Sequence, residues 1–294
     1  MSQVALTTRA GSGRRKARAN ASGAQWGSPT TYLIAAVLIA ACIAPVLFII
    51  IGGFRSNAQI TVDPSGWPNP WVFSNYTDVL ASPMFWRQFA NSLISALSTT
   101  VGAVALAMMA SFVIARYDFR GRGALYSLFA AGLMFPLTVA ITPLYILIKN
   151  MGLTNNLAGI ILPQIAFSLP TTVIILVPFL AAIPKELEEA AAIDGASRLG
   201  FFFRMVLPLS LPGVITTGIL AFIGAWNGYM LPLFILNDSA QYTLPLGVQA
   251  FSSEHSVNTA AVLAFTSLSM IPALLFFSIF ERRIVGGLTG AIKG

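Results

Sequence analysis

The sequence is short of charge. Asp, Glu, Lys and Arg together supply 9% of its 294 residues, against roughly 25% in ordinary soluble domains. Apolar residues supply 56% and the mean hydropathy is +0.78, which excludes a water-soluble globular domain and marks an integral membrane protein. A single cysteine, Cys42, excludes an intrachain disulfide. It reads as an ordinary buried thiol, because the apolar run around it continues to Ile51, too far for the core of a lipoprotein signal despite Ile39-Ala40-Ala41-Cys42. A single histidine, His255, lies without an acidic, His or Cys cluster and reads as a solvated loop side chain. No metal or cofactor is expected on this chain. No G-x-x-x-x-G-K-[ST] loop occurs, and Gly121-Arg122-Gly123 is too short to stand for one, so the chain has no nucleotide-hydrolysing loop of its own.

What is present is six long apolar runs, at about 31–51, 89–115, 124–148, 157–183, 213–236 and 258–280, each near the ~20 residues that cross a bilayer. They predict an all-α fold with six transmembrane helices in one domain, 29–294, preceded by a basic tail, 1–28, rich in Gly, Ser and Ala and expected to be disordered. The net charge of +7 is distributed by loop, which argues against nucleic acid as a partner. Of the 17 basic residues, 14 lie before the first run or after the second, fourth and sixth; only Arg55, Arg87 and Lys149 fall in the other loops. The positive-inside rule then places both termini in the cytoplasm, together with the stretch 184–212.

None of the six runs contains Asp, Glu, Lys, Arg or His. Proton and sodium relays use such groups at membrane depth, so an ion-coupled pump is disfavoured; a membrane enzyme is disfavoured for the same lack. Uphill transport then needs energy from another chain. Prolines 136, 143, 163, 170 and 178 and Gly218, Gly224, Gly228 and Pro232 interrupt the third to fifth runs, and a kinked helix is tolerated in lipid where protein or a wet cavity satisfies the freed carbonyls. Uncharged hydrogen-bonding residues in those runs are therefore candidates for a solute pathway: Gln164 and Ser168 in the fourth, and Trp226, Asn227 and Tyr229 in the fifth. An aromatic beside an amide suits a polyhydroxylated solute. The outward loop 52–88, with Trp67-Pro68-Asn69-Pro70-Trp71 and Phe73-Ser74-Asn75-Tyr76, is expected to be packed at the membrane interface.

The stretch PKELEEAAAIDGASRLGFFFRMVLPLSLP, Pro184 to Pro212, is polar between two apolar runs. Pro184 and the carboxylates of Glu186, Glu188 and Glu189 predict a helix start, and Asp194-Gly195 its stop. Glu186, Ala190 and Asp194 share one face. Ser197 is placed to cap a second helix, with Leu199, Phe202 and Phe203 toward the membrane and Leu207-Pro208 as its end. A helix, a sharp turn and a second helix would lie across the cytoplasmic face.

Glu189-Ala190-Ala191, Gly195 and Leu207-Pro208, in this order and spacing, resemble the signature loop of permease subunits in bacterial ABC importers. Met205 stands where isoleucine is usual. Phe73-Ser74-Asn75-Tyr76, Trp226-Asn227, Thr243-Leu244-Pro245 and Arg282-Arg283 narrow the resemblance to six-span permeases of maltose-type carbohydrate importers, over roughly residues 30–294. At position 228 the family often has an acidic residue, and here Gly228 stands.

The resemblance implies a multi-pass protein of the bacterial inner membrane and a division of labour. An extracytoplasmic sugar-binding protein delivers solute, a second, different permease completes the gate, and two cytoplasmic ATPases carry ATP and Mg. It assigns Glu189, Ala190, Ala191, Asp194, Gly195, Leu207 and Pro208 to the coupling loop, with Glu189 as charged contact and Ala190 and Ala191 as the close-packed face. The same architecture also serves polyols or glycerol phosphate.

Overall fold

A computed structural model describes residues 29–254 and 258–292, and among these every regular element is helical. In chain order they are α1 (Pro29–Gly52), α2 (Asn57–Val62), α3 (Ser74–Ala81), α4 (Pro83–Arg116), α5 (Arg122–Gly132), α6 (Leu137–Asn150), α7 (Leu157–Ala181), α8 (Lys185–Ile193) and α9 (Arg198–Phe201). A π-helical turn (Phe202–Val206) follows, then α10 (Leu207–Leu209), α11 (Leu211–Trp226), α12 (Met230–Ile235), a 3-10 turn (Ser239–Gln241), α13 (Leu244–Glu254) and α14 (Thr259–Ile292). The tail 1–28 and His255 lie outside the described residues.

The chain divides at Pro45. The described part of the first unit is a helical segment, 29–45, exposed along its length and apolar on every side. Cys42 is exposed on it, not buried as its apolar neighbours led us to expect. The second unit, from Val46, holds the bundle.

In that unit α4 packs most extensively against α7 and next against α11. The reason is visible in the sequence of α4: Ser95, Thr99, Ala103, Ala107 and Ser111 recur every fourth residue and are fully buried. Small side chains on one stripe let neighbouring backbones approach, which is how helices associate in lipid. Gly102 and Gly213 extend the close approach; a Cβ there would lie 2.5 Å from Ile165 of α7 and 2.9 Å from Phe179 of α7.

Four described helices are long and apolar enough to cross a bilayer, and the number reaches six only if each of two bent pairs is taken as one span. The third expected run is not one straight helix. It bends by 99° between α5 and α6, because Gly132 ends α5 and Pro136 is extended at φ −75, ψ 128 before α6. Proline also pushes its predecessor out of helical conformation. The fifth is helical only to Trp226, breaks at Asn227–Tyr229 and resumes as α12; α11 in turn meets the helix before it at 75°. The stretch between the fifth and sixth runs contains α13.

The segment after α1 is organised by Arg55, 2% exposed. Its guanidinium donates to the carbonyls of Gln59 (2.6 Å), Pro64 (2.8 Å) and Asp63 at the end of α2, where a cation is favoured by the helix dipole. Phe54, Trp71, Phe73 and Tyr76 pack as a ring cluster beside it, so the expected packed loop is present. The Tyr76 hydroxyl donates to the Ile50 carbonyl at 2.7 Å and accepts from Ser267 at 2.8 Å. Burial raises its pKa above the ordinary phenol value, and the Ser267 bond pulls the other way.

Two ends of the bundle emerge. At one, Asn155 accepts from the N–H groups of Asn237 and Asp238, and Asn91 of α4 donates to the carbonyls of Ala240 and Tyr242. At the other, the end of α4 meets residues 183–202.

Candidate functional site

At that second end lies the stretch singled out in the sequence. α8 begins after Pro184, in extended backbone at φ −56, ψ 140, with Glu186 and Glu188 in its first turn. It ends as Asp194-Gly195 predicts. Gly195 has φ +77, its N–H donates to Ala192 O at 3.1 Å, and the Ala196 N–H donates to Ala191 O at 2.9 Å. This pair of bonds is the Schellman closure, and only glycine takes that left-handed conformation without a steric penalty. Ser197 then caps α9 by accepting from the Gly200 N–H at 3.1 Å.

The outward face of α8 carries Glu186, Glu189, Ala190 and Ile193, with Asp194 exposed beyond it; Ile193 is 86% exposed. Ala191 does not share this face. It is buried in the core formed with Leu180 of α7 and Phe201, so it seats the helix and is not available for close packing by another chain. The reason is helical spacing: Ala191 follows Leu187 by four residues on the inner side, whereas Ala190 follows Glu186.

The second helix also departs from expectation. Leu207-Pro208 does not end it. The π-helical turn at 202–206 shifts the hydrogen-bond register, Leu207 donates to Phe202 O, and the helical backbone runs on through Pro208. The helix ends at Ser210. Phe202 is buried, while Leu199 and Phe203 are 71% and 61% exposed.

Sequence reasoning missed the partner of Glu188. Arg116, the last residue of α4, donates from Nη2 and Nε to Glu188 Oε2 at 2.7 and 3.0 Å and from Nη1 to the Ile183 carbonyl at 2.6 Å. The Arg116 side chain is 3% exposed. In sequence the two residues are 72 apart, and each already had a sufficient local role, as an orientation charge and as a helix-start carboxylate. No local pattern links them.

The solute-pathway candidates separate into three groups. Gln164 of α7 sits against α4, where its Oε1 accepts from Ser95 Oγ at 3.1 Å and Thr99 Oγ1 at 3.0 Å. Those bonds turn its Nε2 toward the break between α11 and α12, and a Cβ on Gly228 would lie 2.9 Å from that nitrogen. Asn227, exposed, and Tyr229, half-buried, flank the same break, and the Tyr229 hydroxyl donates to Gln249 Oε1. Ser168 lies one turn along α7 from Gln164, with its hydroxyl on the Gln164 carbonyl at 2.8 Å. It lines a cleft of about 130 Å³ with Phe167, Thr171, Thr172 and Thr217. Trp226 belongs to the core. It is 2% exposed, stacked on Phe222 and edge-on to Phe89, and only borders a cavity of about 330 Å³ that Asn227 also lines. An aromatic in an apolar run serves packing as readily as recognition, and the sequence does not separate the two. Among the described residues no group of His, Cys, Asp or Glu is arranged to hold a metal.

The chain thus combines apolar helices long enough to cross a bilayer with a helix–turn–helix at one end of the bundle and uncharged polar residues between helices. Residues 103–286 match the family described as the binding-protein-dependent transport system inner membrane component, and the chain belongs to it. It is a multi-pass inner membrane permease component. The chain is 34% identical over 249 residues to the diacetylchitobiose uptake system permease protein NgcG of Streptomyces coelicolor, covering 84% of this chain and 82% of that one. It is 35% identical over 261 residues to the trehalose transport system permease protein SugB of Mycobacterium tuberculosis, covering 88% and 95%. To the sulfoquinovosyl glycerol transport system permease protein SmoH of Agrobacterium fabrum it is 33% identical, covering 91% and 95%. In fold it is similar to a chain of a bacterial ABC transporter involved in the import of the acidic polysaccharide alginate, with a TM-score of 0.74 at 21% identity over 86% of this chain and 94% of that one.

Proposed function

We propose that this chain is one of two permease subunits of an ATP-driven importer of a sugar, with six spans, both termini in the cytoplasm and α8 as the element that docks on a cytoplasmic ATPase. The observation that carries the reading is the construction of the loop at 184–212. A short helix presents Glu186, Glu189, Ala190 and Ile193 outward and is closed by a glycine at φ +77, at the end of the bundle where Arg116, Arg120, Arg122, Lys185, Arg198 and Arg204 also lie. That charge bias favours the cytoplasmic side. Counting each bent pair as one span brings the number to six. The sugar assignment rests on the relatives' solutes and on the neutral amides and hydroxyls along α7. ATP and Mg would reside on the partner ATPase, and solute would arrive on an extracytoplasmic binding protein.

Reconstitution of the chain with its second permease, its ATPase and its binding protein, assayed with labelled di- and oligosaccharides, tests the whole reading. ATP-dependent accumulation of a sugar is expected. Accumulation of only a polyol or glycerol phosphate would replace the solute class, and chemical turnover by this chain alone would remove the transport assignment.

Within the pathway, Gln164→Met is expected to lower uptake at saturating binding protein about tenfold, the worth of one hydrogen bond near 1–1.5 kcal/mol. Ser168→Ala is expected to stay within about twofold, because its hydroxyl already bonds its own helix. Equal uptake by the Gln164 variant and wild type would take Gln164 out of the pathway.

A further inference from the structure

Both arms of the 184–212 loop are fastened to adjacent residues of a third helix, one distant in sequence. Arg116 holds the first arm through Glu188 and the linker between α7 and α8 through the Ile183 carbonyl. Tyr117, the C-cap of α4, holds the second: the Arg198 guanidinium lies over its ring, 5.3 Å from the centroid. Phe112, one turn back on α4, sets that ring edge-on at 5.6 Å and meets Phe202 of the second arm at 5.1 Å. Covalently, α8 is joined to α7 through 182–184 and to α9 through 194–197, both places where the backbone turns.

We infer that Arg116 and Tyr117 form a transmission clamp, making α4 the helix that receives displacement of α8 and passes it to the bundle. The inference rests on the reading of α8 as the docking element. Its physical basis is the contrast between the two kinds of connection. The short linkers 182–184 and 194–197, which turn at Pro184 and Gly195, join α8 to its chain neighbours without side-chain hydrogen bonds of their own that fix its direction. Arg116 is buried and donates three hydrogen bonds, two to Glu188 of α8 and one to the linker before it, and its planar guanidinium fixes direction as well as distance. α4 is also the helix with the most extensive contacts to both α7 and α11, so a displacement delivered to α4 reaches both sides of the candidate solute pathway. Arg116 and Tyr117 are positioning residues; neither is placed to touch solute.

The test is uptake per ATP hydrolysed in the reconstituted complex, normalised to assembled complex. A purely structural contribution lowers the amount of assembled complex and leaves this ratio unchanged. For Arg116→Met and for Tyr117→Leu the ratio is expected to fall about tenfold, within the span of coupling between linked sites. Tyr117→Phe keeps the ring face and is expected to retain the wild-type ratio. Arg116→Lys reaches only one of the two acceptors and is expected to fall between wild type and Arg116→Met. If Arg116→Met does not assemble, Arg116→Lys and the two Tyr117 variants carry the test. Wild-type ratios in Tyr117→Leu and in whichever Arg116 variant assembles overturn the clamp. Ile193→Glu separates the two levels of inference: if it releases the ATPase while the clamp variants keep wild-type ratios, the clamp alone fails. If the ATPase stays bound, the docking reading beneath it fails.

Discussion

Gly195→Leu is expected to leave the protein in the membrane and to reduce uptake per ATP hydrolysed by tenfold or more, about 1.4 kcal/mol of lost coupling. Space is not the obstacle, since a Cβ on Gly195 meets nothing within 4 Å. The backbone is, because φ +77 costs a leucine roughly 1–2 kcal/mol. The chain avoids that penalty by unwinding the Schellman closure, which loses the bonds from Gly195 and Ala196 to Ala192 and Ala191 and redirects α9. Should the closure hold, the leucine side chain projects into the open space where a docked partner would lie. Gly195→Asn, tolerated in left-handed conformation, is expected to be markedly milder. Wild-type coupling in the leucine variant would show that the turn plays no part in transmission.

Ile193→Glu is expected to abolish stable association with the ATPase, read by copurification from detergent. An isoleucine 86% exposed at the end of a helix that is otherwise acidic and small on that face is an apolar knob without a socket in its own chain. Burying it on a partner stabilises the complex by about 1.5–3 kcal/mol, some ten- to a hundredfold in affinity. A charge in the same place adds the cost of desolvating a carboxylate. Ile193→Ala should show the transfer contribution alone, near tenfold. Copurification of both variants at wild-type yield would remove α8 from the interface.

How much of this was legible beforehand depends on the range of the interactions involved. The α8 helix, its glycine stop and the Ser197 cap follow from nearest neighbours along the chain, and the structure has each of them. Helix content followed from the apolar runs for the same reason. Straightness did not, because α7 stays one helix through Pro163, Pro170 and Pro178 whereas Gly132 and Pro136 turn the chain by 99°. At the bend Gly132 also lies where a Cβ would be 2.8 Å from Pro170 of α7, a contact that no local pattern announces. The resemblance puts Ala190 and Ala191 together on the close-packed face, and helical spacing separates them: Ala191, four residues after Leu187, is buried. Trp226 was assigned to the pathway because an indole suits both a core and a sugar. Arg116 with Glu188, and Gln164 with Ser95 and Thr99, pair residues 72, 69 and 65 positions apart, where periodicity has nothing to say.

The amide of Gln164 ties two positions together in a way that bears on how such a chain can vary. Its oxygen accepts from two fully buried hydroxyls, and its nitrogen lies 2.9 Å from where the first carbon of a side chain at 228 would stand. A side chain at 228 therefore requires the Gln164 amide to shift, and the two bonds that tie α7 to α4 at Ser95 and Thr99 shift or break with it. Position 228 thus reaches the α4–α7 seam through one amide.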